Sequence, residues 1–155
     1  METSQGVTWN IQPLICFEDV LPDLTRESLK SETDFVVNFT NDGWFGEASG
    51  HWQHWANATF RAVENGVPVL QCANNGLTAW VDPLGRTHGL EFDSEGDGKN
   101  LYAEGLKRWR IPGPQVDSRI TAIRSTNYRK NGDRFVAVIA CAALGLAVIR
   151  RWRSR

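Results

Sequence analysis

Cys16 closes a short apolar run, Gln12-Pro13-Leu14-Ile15, and the residues after it, Phe17-Glu18-Asp19, read as the opening of a helix. A thiol on a sharp turn between strand and helix is lifted out of the sheet, beside backbone N–H groups that have no partner within the helix. The positive end of that helix favours the thiolate, which is the nucleophilic form. A lone cysteine is more often a small buried hydrophobe, so the catalytic reading of Cys16 needs support from the rest of the chain.

Other candidates carry less. His51 and His54 lie three apart on an expected helix, as metal ligands can, but no third ligand is evident. They read as surface or pocket-lining side chains, and no metal is expected. Arg61 and Glu64 are spaced for a structural ion pair along the same helix. Three cysteines, Cys16, Cys72 and Cys141, are too few and too scattered for a disulfide framework or a zinc site. No phosphate-binding glycine loop and no nucleic-acid module is present, and nothing calls for a cofactor.

The elements that would position Cys16 follow from periodicity and turn signals. Residues 7–15 read as a strand whose Pro13 marks an edge or a bulge. Pro22 opens a helix to about Ser31, and Phe35–Thr40 is a β-rich run ended by Asn41-Asp42-Gly43. Residues 44–50 combine glycine with aromatics, a composition for a pocket rim. From His51 to Asn65 a helix is expected, with Trp52, Trp55, Ala56, Thr59, Phe60 and Val63 along one face and Gly66 as its cap. Strands at 67–73 and 77–82 flank Asn74-Asn75-Gly76, a hairpin signal. A turn at Asp82-Pro83-Leu84-Gly85 leads into a strand at 87–92, then a solvated loop at 93–99 and a strand at 100–106. Strands alternating with helices indicate layered α/β packing.

Charge is split along the chain. Residues 1–100 carry 5 Lys and Arg against 15 Asp and Glu, a net of −10, and residues 101–155 carry 12 against 3, a net of +9. The basic end follows residues 135–149, which hold no polar side chain except the Cys141 thiol. Fifteen helical residues rise about 22 Å, less than the ~30 Å hydrocarbon core, with Arg134 and Arg150 placed to snorkel. An all-apolar helix has no polar stripe to show to water, so a membrane span is expected over a buried core helix. The cationic cluster with Trp152 suits a membrane exit. Met1–Gly6 lacks the features of a signal peptide.

Taken together, Pro13-Leu14-Ile15-Cys16-Phe17-Glu18, Asn38-x-Thr40-Asn41-Asp42-x-Trp44-Phe45-Gly46, Gln53-His54, Arg61-Ala62-x-Glu64, Asn74-Asn75-Gly76 and Asp82-Pro83-x-Gly85 resemble the nitrilase superfamily of carbon–nitrogen hydrolases. With the segment 126–133 and the apolar run behind it, the resemblance is to the apolipoprotein N-acyltransferase branch. It implies an αββα sandwich and a Glu-Lys-Cys catalytic set. It also implies transfer of an acyl chain from phospholipid to the N-terminal diacylglyceryl-cysteine of a lipoprotein, at the bacterial inner membrane with the nitrilase-like part periplasmic. Carried over by position, Cys16 is the nucleophile, Glu18 an acidic residue supporting the site, and Phe17, Trp44 and Phe45 line the substrate pocket. Phe17 stands where this branch commonly has Tyr.

The expected organisation is a C-terminal part of a nitrilase-like domain at 1–125, a juxtamembrane linker at 126–134, a transmembrane helix at 135–149 and a basic cytoplasmic tail at 150–155. The family's general-base Glu and its Lys fall before the nucleophile strand, where this chain has only Glu2 and no Lys. The chain is thus expected to be a portion of the enzyme, inactive alone. The alternatives are a fragment of a soluble C–N hydrolase such as an amidase, or a non-catalytic membrane-anchored remnant. The partners implied are a phospholipid donor, an apolipoprotein acceptor and the membrane, without nucleic acid.

Overall fold

The computed structural model describes residues 8–46, 49–89, 108 and 126–153. Five strands form one sheet in chain order: β1 Ile11–Ile15, β2 Phe35–Asn41, β3 Val69–Asn74, β4 Ala79–Val81 and β5 Thr87–His88. The pairs β1–β2 and β2–β3 are parallel, while β3–β4 and β4–β5 are antiparallel. Parallel neighbours require crossovers, and these are supplied by α1 Pro22–Ser28 and α2 Gly50–Asn65. Two crossovers of the same hand, between strands added in one direction, place both helices on one face. Among the described strands β1 lies at the edge, a position that tolerates Pro13.

Register sorts the side chains. Leu14, Val36, Val69, Ala79 and Val81 point to the helical face, where they pack with Trp55, Ala58 and Ala62 of α2 and with Val67 and Leu77. On the other face Ile15 and Phe39 are 60% and 52% exposed, and Trp80 stacks on His88 at 4.1 Å. The described residues therefore make one sheet and one helical layer of the nitrilase-type α/β fold.

Several boundaries differ from expectation. The first strand is the shorter Ile11–Ile15. Helix α1 stops at Ser28, because the Thr33 hydroxyl takes the Lys30 N–H and turns the chain toward β2. The buried face of helix α2 keeps Trp55 from the expected apolar face but is otherwise turned from it: Trp52, Phe60 and Val63 are exposed, and His51, His54, Arg61 and Asn65 are buried with Trp55, Ala58 and Ala62. The reason is an ionic network beneath the Cys16 turn, described below. The expected continuation of β5 past residue 89, the loop at 93–99 and the strand at 100–106 lie outside the described residues.

The Asn74-Asn75-Gly76 hairpin forms as its sequence indicates, with Asn75 in the left-handed region at φ 54°. The following turn is organised by buried Asp82, whose Oδ1 accepts from the Leu84 and Arg86 N–H groups at 2.9 and 3.0 Å. Arg61 and Glu64 pair at 2.8 Å, as their spacing indicates.

At the C-terminal end, α3 Asn127–Asn131 is docked on the end of α2. Thr126 caps α3 by accepting the Arg129 N–H and donates its hydroxyl to the Glu64 carbonyl. Arg129 donates to the Asn65 and Lys30 carbonyls, a cation placed on the negative end of α2. From this mooring α4 runs Arg134–Arg153, 20 residues, all of those described exposed. At about 1.5 Å per residue it spans about 30 Å, longer than residues 135–149 alone suggested and enough to cross a hydrocarbon core.

Gly76 lies where a side chain has no room: an added Cβ would come within 2.8 Å of the Asp42 Cβ and 2.9 Å of its Oδ2. Gly76→Ala should lower stability by about 1–3 kcal/mol, read as a lower thermal midpoint in detergent. An unchanged midpoint would show that Asp42 moves aside freely.

Candidate active site

Cys16 is the first residue after β1 and opens a five-residue 3₁₀ turn, Cys16–Val20; the α-helix itself starts only at Pro22. The short turn replaces the direct strand-to-helix entry expected from sequence. Cys16 holds φ 53°, in the left-handed region, one of two non-glycine residues with positive φ among those described. A non-glycine residue there costs of order 1–3 kcal/mol and persists only where its surroundings fix it. An elbow of this kind lifts the side chain clear of the sheet.

The fixing contacts come from three directions. Asn38 of β2, fully buried, donates from Nδ2 to the Cys16 carbonyl at 3.1 Å. His54 of α2 places Nε2 3.3 Å from the same carbonyl. Glu18 reaches back and accepts the Ile15 N–H at 2.7 Å. Glu18 thus closes the elbow on its own backbone.

Beneath the elbow lies a buried row of charges. His54 donates from Nε2 to Asp19 Oδ1 at 2.9 Å and from Nδ1 to Asp42 Oδ1 at 2.8 Å. Burial alone would push the imidazole toward its neutral form. The hydrogen bonds and charges of Asp19 and Asp42 outweigh burial and raise its pKa to about 10. His54 is therefore an imidazolium at neutral pH, with both N–H groups committed and no lone pair to act as a base. Arg61 donates to the Asp19 carbonyl at 3.2 Å, and Gln71 reaches Asp42 Oδ2 at 3.5 Å. His51 donates to the Gly46 carbonyl at 2.6 Å and faces Asp42 Oδ2 at 3.9 Å. The two histidines, expected at a surface or pocket wall, are instead buried structural members of this row.

The aromatic residues divide. Phe17 lies parallel to His54, ring centres 5.4 Å apart, and shields it while remaining 55% exposed. That contact is a cation–π stack. Phe45 packs edge-on against His51 and Phe17 at 5.5 and 6.1 Å. An added Cβ at Gly50 would overlap the Phe45 ring, so glycine there makes room for it. Phe17 and Phe45 thus sit beside the elbow. Trp44 is 86% exposed.

Among the described residues, a hydroxyl lies beside the sulfur: Thr40 Oγ1 is 3.4 Å from Cys16 Sγ and 2.7 Å from Asp42 Oδ1. Sequence reasoning used Asn38, Thr40 and Asp42 as family motifs but gave neither them nor Asp19 a place in the site. A signal existed, because polar residues at 38, 40 and 42 alternate along one side of a strand and its end, the side that faces α2. Of the other thiols, Cys72 is half-buried in β3, where burial pushes its pKa up, and Cys141 lies on α4. No group of three or more His, Cys, Asp or Glu suited to a metal ion occurs among the described residues.

The sequence profile described as carbon-nitrogen hydrolase matches residues 1–96, which include the elbow and the whole buried row. The chain belongs to the carbon–nitrogen hydrolase family. Its curated relatives include an apolipoprotein N-acyltransferase of Rickettsia bellii, 49% identical over 76 residues, 49% of this chain and 15% of that protein. Another, from Allorhizobium ampelinum, is 37% identical over 141 residues, 91% of this chain and 24% of that protein. The chain thus spans about a quarter or less of the length of these relatives. Among solved structures, an amidase from Nesterenkonia sp. aligns with a TM-score of 0.40 at 21% identity, over 52% of this chain and 34% of its own.

The raised His54 pKa has a definite consequence for stability. Its contribution is fully present below about pH 6.5, the unfolded value, and is lost as pH rises through about 10. The thermal midpoint should therefore fall between pH 7 and 10. His54→Gln should remove that component of the slope and cost about 3–5 kcal/mol at pH 7, because two buried carboxylates lose their cation. Thermal melts across this range check both, and parallel slopes for the two proteins would refute the bridge.

Proposed function

We propose that the chain is part of an apolipoprotein N-acyltransferase in which Cys16 is the nucleophile. The observation that carries this reading is the extent of the likeness. A match over 141 of 155 residues necessarily takes in residues 15–141, from the elbow to the first half of α4. A cysteine held at positive φ at a strand end, and a helix long enough to cross a membrane, both support it.

In the reaction proposed, the Cys16 thiolate attacks the ester carbonyl of a phospholipid. A C–S bond forms, the C–O bond breaks, and the leaving lysophospholipid oxygen takes a proton. The acceptor's α-amino group then attacks the thioester, forming an amide, and the sulfur leaves as thiolate while the amine loses its proton. Each tetrahedral stage puts negative charge on the carbonyl oxygen, which backbone N–H groups around the elbow would stabilise. A general base is needed to take the Cys16 proton. The resemblance assigns that base to a Glu, assisted by a Lys, and within the elbow neither committed His54 nor tethered Glu18 fills the role. In this reading α4 spans the bilayer with Arg150, Arg151 and Arg153 on the cytoplasmic side, the elbow lies on the periplasmic side, and Phe17 and Phe45 border the acyl path.

A chimera tests the assignment, with the 141-residue matching segment of the Allorhizobium ampelinum protein replaced by that of this chain. Incubated with labelled phospholipid, it should form a hydroxylamine-sensitive acyl thioester. Cys16→Ser should abolish that label, while Cys72→Ser and Cys141→Ser retain it. The membrane fraction should hold the protein through an alkaline wash. Label that survives Cys16→Ser and is lost in Cys72→Ser would overturn the assignment.

A further inference from the structure

The Thr40 hydroxyl carries one proton and has two neighbours that can accept it. Asp42 Oδ1 is 2.7 Å away and Cys16 Sγ is 3.4 Å away. While the sulfur is protonated both contacts are satisfied: the S–H donates to Oγ1, and the hydroxyl donates to Asp42. Once the sulfur has lost its proton it can only accept, and the hydroxyl must turn toward it. Asp42 tolerates that change, because Oδ1 keeps the His54 N–H at 2.8 Å and Oδ2 keeps the Gln71 contact. Thr40 is 7% exposed and β-branched, so its side chain is held in one rotamer and its Oγ1 stays beside both acceptors.

We propose that the Thr40 hydroxyl is the donor that stabilises the sulfur of Cys16 once its proton has passed to the general base, and that the Asp42–His54–Asp19 row positions it for this. Thr40 touches the reacting sulfur, and so is a catalytic residue; Asp42, His54 and Asp19 are positioning residues, acting through it. The proposal deepens the reading of Cys16 as nucleophile and rests on it. Its test reads the thiol directly, so it succeeds or fails apart from any acyl transfer.

The measurement is the rate of Cys16 alkylation by iodoacetamide from pH 6 to 10, on the full chain in detergent, quantified by peptide mass spectrometry. Cys72 serves as an internal reference, since it lies in β3 opposite Phe39, on the other face of the sheet from Asn38. Among the described residues, the charged or titratable groups near Cys16 include Glu18 and Asp19 on its turn, Asp42 after β2, and His51, His54 and Arg61 on α2. All are common to the wild type and the Thr40 variants, so the difference between profiles reports Thr40.

Thr40→Val keeps the shape and removes the donor. It should move the half-maximal pH of Cys16 labelling upward by about half to one unit, making labelling at pH 7 about three- to tenfold slower. Thr40→Ser should restore the wild-type profile, which a purely packing role for the threonine methyl would not. A Thr40→Val profile equal to wild type overturns the proposal, and so does a Thr40→Ser profile that follows Val. If Val loosens the domain, seen as faster Cys72 labelling, Thr40→Ala takes its place under the same criterion.

Discussion

The imidazolium of His54 between two buried carboxylates is the contact on which the rest of this site depends. Asp19 and Asp42 are almost completely buried, and two such charges near one another would repel strongly in a medium that screens little. One cation shared between them removes that repulsion and turns it into a rigid link. Because Asp19 belongs to the turn after β1, Asp42 to the segment after β2, and His54 to α2, one side chain joins three separate pieces of chain. With Asn38 it also grips the Cys16 carbonyl, which is what allows a cysteine to stay at φ 53°.

Topology explains why these pieces meet. In a sheet with parallel strands the loops leaving the carboxyl ends gather on one edge, and that edge is where reactive groups collect. Cys16 follows β1 and Asp42 follows β2, on neighbouring strands in register, so the two turns lie side by side. The β3–β4 hairpin then closes the edge by bringing Gly76 against Asp42. Helix α2 lies over this edge with its polar face inward, which is why a helix with four exposed or half-exposed apolar side chains nevertheless buries His51, His54 and Arg61. Charge pairing there outweighs the simple preference for burying the larger hydrophobes.

The far end of α2 does a second job. Its last carbonyls accept from Thr126 and Arg129, so the chain leading to α4 starts from a fixed point on the same helix that carries His54. The apolar helix therefore leaves a rigid part of the domain. Its uniformly aliphatic surface has no polar stripe to set against water, and it carries its arginines only at its ends.

Much of this was legible in the residues themselves. Cys16 at a strand end, the Asn74-Asn75-Gly76 hairpin, the Arg61–Glu64 pair and the apolar C-terminal run follow from local signals: spacing, turn chemistry and hydropathy act within a few residues of one another. The family could be read from ordered motifs, several of which supply residues that meet at the elbow: Cys16 and Glu18, Asn38, Thr40 and Asp42, and His54. What sequence alone could not decide was which face of α2 is buried, since hydrophobic periodicity favours Trp52, Phe60 and Val63, whereas the inward face is set by carboxylates 12 and 35 residues away from His54 in sequence. The same holds for Thr40, whose hydroxyl gains its meaning from a sulfur 24 residues earlier. Only the tertiary structure brings those groups within hydrogen-bond reach, and only there does His54 become a shared cation, and Cys16 a residue held in a conformation it would not adopt alone.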